Sequence, residues 1–302
     1  MFDFLRRGFA GPGPSRTLPP GAPPADFRPG RAYWNQREIL AQSAEHIRAL
    51  SDAVGRRSDL SLPQFAQLMA SVIDFAPDLV LELGRGLGNS TCAFTEAANQ
   101  LGGGCRVLSL CNTDDWKTVT APKVKALVEK GWFAPLDAIT ADILTYPFQT
   151  ALAKAKRVVL FWDAHGFEIA EIALAVIMPL LAQREHLVFM HDMSDTRYGA
   201  AECADYAGGR LWTGENASSA RFRVGIVDSA VAQAFVVQDF TQRNRITLDS
   251  VDHSIHEEFE SQPDRIEEMR ALLGNDLFSM VGHWFWFTLN EHPGPYTFPK
   301  RG

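Results

Sequence analysis

The chain has 302 residues, of which 46% are hydrophobic and 22% charged, and a protein of this composition can bury a large core. The formal net charge of -7 argues against a surface that neutralises phosphates, so no nucleic-acid partner is expected. No apolar run approaches the ~18 residues of a membrane span, and the four cysteines lack metal-like spacing. These features predict a cytoplasmic protein with reduced thiols and no membrane partner.

The amino-terminal segment is dominated by residues that prevent regular structure. Residues 11–30 contain seven prolines and four glycines, which predicts a flexible leader over residues 1–30. Residues 31–302 are predicted to form one domain.

Helix-like and strand-like segments alternate after the leader. Ser61 and Gln64 form a candidate capping box with Pro63 in the first turn, and apolar residues then recur at helical spacing. Further helices are predicted over residues 90–100, 122–131 and about 169–181, and strands over 79–83, 106–110, 136–140, 157–162 and 186–190.

Short apolar strands that alternate with helices are typical of parallel βαβ units. The sequence therefore predicts an α/β fold, a doubly wound, Rossmann-like, mostly parallel seven-stranded sheet with helices on both faces. The later part of the chain has a weaker pattern. Residues 194–252 are predicted to form a lid or insertion with short strands near 222–227 and 234–238, followed by a helix over 263–273 and an aromatic strand over 283–289.

The strand at 79–83 runs into a glycine-rich turn, Glu82-Leu83-Gly84-Arg85-Gly86-Leu87-Gly88-Asn89-Ser90. Such a turn between a strand and a helix brings the backbone close to a ligand at the carboxyl end of a sheet. Dinucleotide-binding turns have the spacing G-x-G-x-x-G, but Asn89 occupies the third glycine position here. The observed spacing is G-x-G-x-G.

This segment resembles the first motif of class I S-adenosylmethionine-dependent methyltransferases. The resemblance implies that Gly84, Gly86 and Gly88 pass under the cofactor and that Glu82 lies near its methionine amino group. A carboxylate suits that cationic group better than a phosphate-binding helix end does. Asn89 and Ser90 are included in the predicted cofactor site.

The same resemblance implies polar cofactor contacts after the second and third strands. The family usually has an acid that holds the ribose hydroxyls after the second strand, where this chain has Asn112 and, slightly later, Asp114. Asp142, after the third strand, matches the acid that lies near the adenine amino group. Its alternative role is to cap a helix over residues 143–155.

Titratable residues follow the fourth and fifth strands, in Trp162-Asp163-Ala164-His165 and Met190-His191-Asp192. Both strand ends should open onto the ligand crevice of a doubly wound sheet. The layout resembles metal-dependent small-molecule and sugar O-methyltransferases of the macrocin type. That resemblance implies that Asp163, His191 and Asp192 bind a divalent cation, Mg²⁺ or Mn²⁺, although His191 replaces a usual acid and imidazole suits Mg²⁺ poorly.

O-methylation without a metal still needs a base for the hydroxyl proton. His165 or His191 can serve at neutral pH, with Asp163 or Asp192 as the orienting partner. His165 is the preferred base, because related sugar enzymes have a histidine close to this position. The alternative is that either histidine only satisfies backbone groups at a strand end.

Together these features predict an S-adenosylmethionine-dependent methyltransferase that O-methylates a hydroxyl group of a sugar or another small secondary metabolite. The chain lacks the Asp/Asn-Pro-Pro-aromatic run of enzymes that methylate nucleic-acid bases. Two alternatives stay open: a metal-dependent hydroxylase or other enzyme on the same scaffold, and a non-catalytic module that binds the cofactor. Homo-oligomer formation also stays open.

Overall fold

The computed structural model describes residues 26–192 and 226–300. Outside the described residues lie residues 1–25 of the leader predicted over 1–30, residues 194–225 of the lid predicted over 194–252, and the start of the strand predicted at 222–227. Within the described ranges, every helix is too short or too polar to cross a lipid bilayer.

A seven-stranded sheet forms the centre of the structure, with strand order β3-β2-β1-β4-β5-β7-β6. The first five strands are parallel to one another, and β7 pairs antiparallel with both β5 and β6. The strands are β1 (Leu79–Leu83), β2 (Arg106–Cys111), β3 (Leu136–Thr140), β4 (Arg157–Trp162), β5 (Glu185–Met190), β6 (Asp249–Ser250) and β7 (Phe285–Phe287). The predicted fold class is confirmed.

Helices cover both faces of the sheet. They are α1 (Pro29–Asn35), α2 (Arg37–Val54), α3 (Leu62–Phe75), α4 (Asn89–Gln100), α5 (Ala121–Lys125), α6 (Phe148–Leu152), α7 (Phe167–Ile172), α8 (Met178–Leu181), α9 (Ile226–Arg243), α10 (Val251–Phe259) and α11 (Pro263–Leu277). A π-helical turn, Trp116–Thr120, precedes α5, and another, Ala173–Ile177, joins α7 to α8.

Side-chain alternation along the strands divides the apolar interior into two layers. Val80, Val159 and Phe189 belong to the layer that the first four helices, α10 and α11 cover. Leu81 and Leu160 belong to the opposite layer, which α6 to α9 cover. The inner strands are buried along nearly their whole length, as expected for a sheet packed on both sides.

Local signals predict most boundaries well. The capping box is confirmed, since the Ser61 side chain accepts from Gln64 and the Gln64 side chain accepts from the backbone of Ser61. The predicted helix at 122–131 is displaced, because helical structure starts at Trp116 and α5 ends at Lys125. The helix expected over 143–155 is reduced to α6, and the aromatic strand is shortened to the three residues of β7.

The strand predicted at residues 234–238 is wrong, because these residues lie within α9. The β-branched pair Val236-Val237 favours a strand locally. In the structure, Ala234, Val237, Phe240 and Thr241 are buried at helical spacing, so packing against the sheet decides the conformation.

The packed core includes residues before the domain boundary predicted at residue 31. Phe27 is fully buried and contacts the rings of Phe75, Phe189 and Trp286. Pro29 then occupies the first turn of α1, where its missing N–H is tolerated.

Candidate functional site

The glycine loop leaves β1 at the carboxyl edge of the sheet. The N–H of Gly84 donates to the carbonyl of Leu110 at 3.0 Å, which holds the start of the loop against β2. Gly84, Gly86 and Gly88 all have positive φ angles, of 92°, 51° and 100°. Side chains with a Cβ rarely adopt these conformations, so the repeated glycine follows from the shape of the turn.

The three glycines differ in what surrounds them. A Cβ on Gly84 would lie 2.7 Å from the backbone nitrogen of Ala164, so only glycine lets the loop approach the end of β4. A Cβ on Gly88 would overlap the indole of Trp116. Gly86 faces open space, with no atom within 4 Å of the position that its Cβ would occupy. Gly86 is therefore the glycine with room for a ligand beside it.

Glu82 is fully buried beneath the loop and does not line the cavity beside it. Its carboxylate accepts hydrogen bonds from the hydroxyls of Ser90 at 2.5 Å, Thr91 at 2.6 Å and Ser109. Burial raises the pKa of Glu82, and the three hydroxyls partly offset that effect. Glu82 therefore lies under the loop, which it ties to β2 and α4, and its contact with the cofactor stays a prediction.

Arg85 is a buried cation that sequence reasoning missed. Only 4% of it is exposed, and its guanidinium donates to the carbonyl of Ser109 at 2.7 Å and to that of Ile139 at 3.4 Å. These bonds link the loop to β2 and β3. Asn89, at the first turn of α4, donates instead to the carbonyl of Arg56 at 2.7 Å, so its amide fixes the wall of the site.

The predicted contacts after β2 and β3 lie outside the cavity walls. Asn112 and Asp114 are exposed, and Asp114 accepts from the hydroxyl of Thr140 at 2.6 Å. Asp142 is exposed and accepts from the N–H of Leu144 at 2.9 Å, which closes a turn before α6 and does not cap the helix that was expected over 143–155. Their proposed roles toward ribose and adenine stay predictions.

Cys111, the last residue of β2, has its thiol against the backbone of the loop residues Arg85 and Gly86. Burial raises the pKa of its thiol, but the backbone N–H groups of Thr113, Gly86 and Arg85 outweigh burial and lower the pKa. The sequence could have identified Cys111 by its position as the last residue of β2, at the edge of the sheet where the glycine loop also begins.

The acids and histidines predicted to converge do come together. Trp162 pairs with Met190 in the parallel register of β4 and β5, so the next residues, Asp163 and His191, lie side by side. His191 Nδ1 is 3.2 Å from Asp163 Oδ1 and 3.1 Å from Asp192 Oδ1. His165 Nε2 is 3.2 Å from Asp192 Oδ2. Asp192 thus bridges the two histidines.

The pKa values of these acids and histidines depend both on burial and on the hydrogen bonds between them. Burial raises the pKa of Asp163. The hydrogen bonds with His165 and His191 hold the pKa of Asp192 well below its usual range. Burial would lower the pKa of His191, but the hydrogen bonds with Asp163 and Asp192 outweigh it and raise the pKa. Asp192 is therefore the carboxylate that stays ionised.

A cavity of about 220 Å³ joins the two halves of the site. Its walls are formed by the glycine loop at 85–90, residues 58–60, Phe161, and the group Asp163, His165, His191 and Asp192. His165 Nδ1 is buried and has no hydrogen-bond partner among the described residues. A buried polar atom without a partner, next to a cavity, is a candidate contact for a bound molecule.

Neither a family model nor a curated protein matches this sequence. Solved structures with a similar chain path include cofactor-bound Rv0187 from MTB, at 16% identity and TM-score 0.46, covering 82% of this chain and 89% of that one.

The S-adenosylhomocysteine-bound methyltransferase PaMTH1 from Podospora anserina has 10% identity and TM-score 0.43, covering 74% and 76% of the two chains. An O-methyltransferase from Klebsiella pneumoniae, whose assignment is provisional, has 13% identity and TM-score 0.44, covering 68% and 81%. These TM-scores are low, so the functional proposal rests on the residues of the site itself.

Proposed function

We propose that this chain is an S-adenosylmethionine-dependent methyltransferase that methylates a hydroxyl group of a sugar or another small metabolite. The observation that carries the proposal is that one cavity joins the glycine loop to the His165–Asp192 pair. A methyl donor on the loop and an acceptor hydroxyl beside His165 would meet in that cavity. Holding two reactants in one orientation supplies much of the rate of a bimolecular transfer.

The charges around the cavity favour a cationic ligand over a phosphate. Asp59, Asp163 and Asp192 line it, whereas the guanidinium of Arg85 is turned onto backbone carbonyls. A sulfonium and an amino group are both stabilised near carboxylates. Together with the missing third dinucleotide glycine, this charge distribution supports S-adenosylmethionine as the ligand of the loop.

His165 is the proposed base. Its Nε2–H donates to Asp192, which leaves Nδ1 to accept the hydroxyl proton of the acceptor. When bound, S-adenosylmethionine would supply the methyl group, with its sulfur–carbon bond breaking as the bond from that carbon to the acceptor oxygen forms. The proton moves to His165 Nδ1, and the products are S-adenosylhomocysteine and a methyl ether. The ionised Asp192 stabilises the imidazolium that results.

A divalent cation at Asp163, His191 and Asp192 was the other expectation. One ligand atom from each residue lies within 4.8 Å of the others, a spacing that a cation can bridge. The imidazole of His191 does not fit the role of ligand, because Gln64 lies against its Nε2 and leaves the ring hydrogen on Nδ1, the atom that faces both carboxylates. The mechanism therefore includes no metal-dependent step.

The first test is binding of S-adenosylhomocysteine to the full chain by calorimetry. Wild-type protein should bind one molecule per chain, and Gly86→Leu should weaken binding by roughly tenfold or more, about 1.4 kcal/mol, because the new side chain enters the cavity. Gly102→Leu is the matched control, since Gly102 also has positive φ and open space around its Cβ position. Absence of binding to wild type at millimolar ligand would overturn the proposal.

The second test concerns the reaction. Release of S-adenosylhomocysteine from S-adenosylmethionine is measured with a panel of hydroxylated sugars and glycosides. His165→Asn should lower kcat by roughly a hundredfold or more while leaving cofactor affinity unchanged. Tight cofactor binding without turnover on any acceptor would favour a non-catalytic binding module, and oxygen-dependent product would favour a hydroxylase on this scaffold.

We also propose a cytoplasmic location. Cys92, Cys105 and Cys111 are all free thiols, as expected in a reducing compartment.

A further inference from the structure

Gln64 contacts His191 across 127 residues of sequence. It is the third residue of α3 and half of the capping box, and it is buried. Its Oε1 accepts from the N–H of Ser61 at 2.7 Å, and its Nε2 donates to the carbonyl of Gly282 at 2.6 Å. The same Nε2 lies 3.4 Å from Nε2 of His191.

The orientation of the Gln64 amide is fixed by its two short hydrogen bonds. Exchanging its oxygen and nitrogen would turn the NH₂ group onto the N–H of Ser61 and the oxygen onto the carbonyl of Gly282. Both bonds would become contacts between like groups, and leaving buried polar groups unpaired is costly. The group that faces His191 is therefore the NH₂, a donor.

A donor at this place requires His191 Nε2 to accept. Against the effect of burial, hydrogen bonds with Asp163 and Asp192 raise the pKa of His191, but an imidazolium would turn a second donor, Nε2–H, onto the NH₂ group of Gln64. The neutral ring carries one hydrogen, and with Nε2 as acceptor that hydrogen lies on Nδ1. The neighbours of Nδ1 are Asp163 Oδ1 and Asp192 Oδ1, both acceptors. Every polar contact of the ring then joins a donor to an acceptor.

We propose that Gln64 is a positioning residue that holds His191 as an Nδ1–H donor, so that His191 clamps Asp163 and Asp192 and is neither a metal ligand nor the base. A cation among the three residues would need the lone pair of Nδ1. The ring hydrogen would then move to Nε2 and point at the NH₂ of Gln64. This inference extends the proposed function, because the clamp holds Asp192 where it orients His165.

The geometry also separates the two histidines. His165 lines the cavity and its Nδ1 has no partner among the described residues, whereas both nitrogens of His191 are engaged with the protein. The ring of Phe161 also packs against that of His191, with the two centroids 6.4 Å apart, and this contact helps to hold the His191 ring in place. Of the two bases that the sequence offered, the structure assigns the fixed one to positioning.

The test is nitrogen NMR of the full chain labelled with ¹⁵N-histidine, with the His191 signals assigned by their loss in His191→Asn. Long-range proton–nitrogen correlations distinguish a ring nitrogen that carries hydrogen from one that does not. In wild type, Nδ1 of His191 should carry hydrogen and Nε2 should not. Gln64→Glu should move Nε2 into the hydrogen-bearing range, because a carboxylate accepts where the amide donated.

Gln67→Glu is the matched control. Gln67 lies one turn further along α3, is buried, and donates to the carbonyl of Ser279 at 3.3 Å, so the change removes an equivalent bond to the same carboxy-terminal segment. It should leave the His191 signals unchanged. A purely structural effect of removing a buried amide would move the spectrum equally in both variants.

Equimolar Zn²⁺, added to wild type, provides an independent measurement if Gln64→Glu fails to fold. The His191 signals should stay in place. A zinc-dependent shift of Nδ1, an Nδ1 without hydrogen in the metal-free protein, or an Nε2 that carries hydrogen in wild type would overturn the proposal. None of these measurements depends on cofactor binding. Failure to bind S-adenosylhomocysteine would therefore contradict the proposed function without contradicting the role proposed for Gln64.

Discussion

The indole of Trp116 lies directly against Gly88, where any side-chain carbon on residue 88 would overlap its six-membered ring. Trp116 is 4% exposed and opens the π-helical turn after β2, so it has little space into which to move. Gly88 also has a φ of 100°, which side chains with a Cβ avoid. Two independent constraints, packing and backbone shape, therefore require glycine at the last position of the loop.

Gly88→Ala should lower the free energy of unfolding by about 1–3 kcal/mol through overpacking, on top of the cost of positive φ. Gly102→Ala has the backbone cost alone, because no atom lies within 4 Å of its Cβ position. Urea unfolding of both variants isolates the packing effect, and Trp116→Leu should recover part of it in the Gly88→Ala background. Equal losses at the two glycines would contradict a packing role for Trp116.

The sequence predicted the features that depend on neighbouring residues. The strands at 79–83 and 157–162 follow from short apolar runs, and the convergence of Asp163 with His191 follows because parallel strands end at one edge of a sheet. The contact of Gln64 with His191 could not be predicted, because it joins a helix start to a strand end far along the chain. The helix α9 was missed because burial overrides the β propensity of its valines.

Glu82→Gln tests how the predicted cofactor acid acts. The carboxylate accepts from Ser90, Thr91 and Ser109, and an amide would turn an NH₂ group onto at least one of these hydroxyls. Leaving a buried group mismatched should lower the free energy of unfolding by about 1–3 kcal/mol. Urea unfolding measures the stability, and calorimetry with S-adenosylhomocysteine measures the affinity.

The position of Glu82 beneath the loop predicts that stability and affinity fall together. Thr91→Val removes one of the three donors while leaving the carboxylate in place, and it should give a smaller loss of the same kind. A fall in affinity with unchanged stability in Glu82→Gln would instead show direct contact with the ligand.

Cys111 should be the most reactive of the described cysteines. Its thiol has a lowered pKa, whereas burial raises the pKa of Cys105 to about 12 and raises that of Cys92 as well. Timed alkylation with iodoacetamide at pH 8, read by peptide mass spectrometry, should label Cys111 first. Because its sulfur lies against the backbone of Gly86, saturating S-adenosylhomocysteine should slow that labelling.

Cys111→Ser provides the control for the alkylation experiment, since it should remove the fast site and leave slow labelling elsewhere. Labelling of Cys92 or Cys105 before Cys111 would contradict the pKa order. Labelling of Cys111 that is unaffected by bound S-adenosylhomocysteine would place the ligand away from the end of β2.

His186 should make the protein less stable in mild acid. It is fully buried at the start of β5, where Nδ1–H donates to the carbonyl of Arg184 at 3.0 Å and Nε2 accepts from the N–H of Leu289 at 3.1 Å. Burial lowers its pKa from 6.5 to about 4. At a pH between these two pKa values, the imidazole of His186 is therefore protonated in the unfolded chain and neutral in the folded chain. The contribution of His186 to the free energy of unfolding is complete above pH 6.5 and is lost as the pH falls toward 4.

Between pH 7.5 and pH 5.0, this group alone should remove about 2 kcal/mol from the free energy of unfolding. The measurement is urea unfolding of wild type and His186→Gln at both pH values. Glutamine can keep the bond from Leu289 but does not titrate, so the variant should lose correspondingly less stability on acidification. Carboxylates contribute equally to both proteins and cancel in the comparison. Parallel losses in the two proteins would mean that His186 takes up its proton in the folded state, which the buried bond from Leu289 to Nε2 opposes.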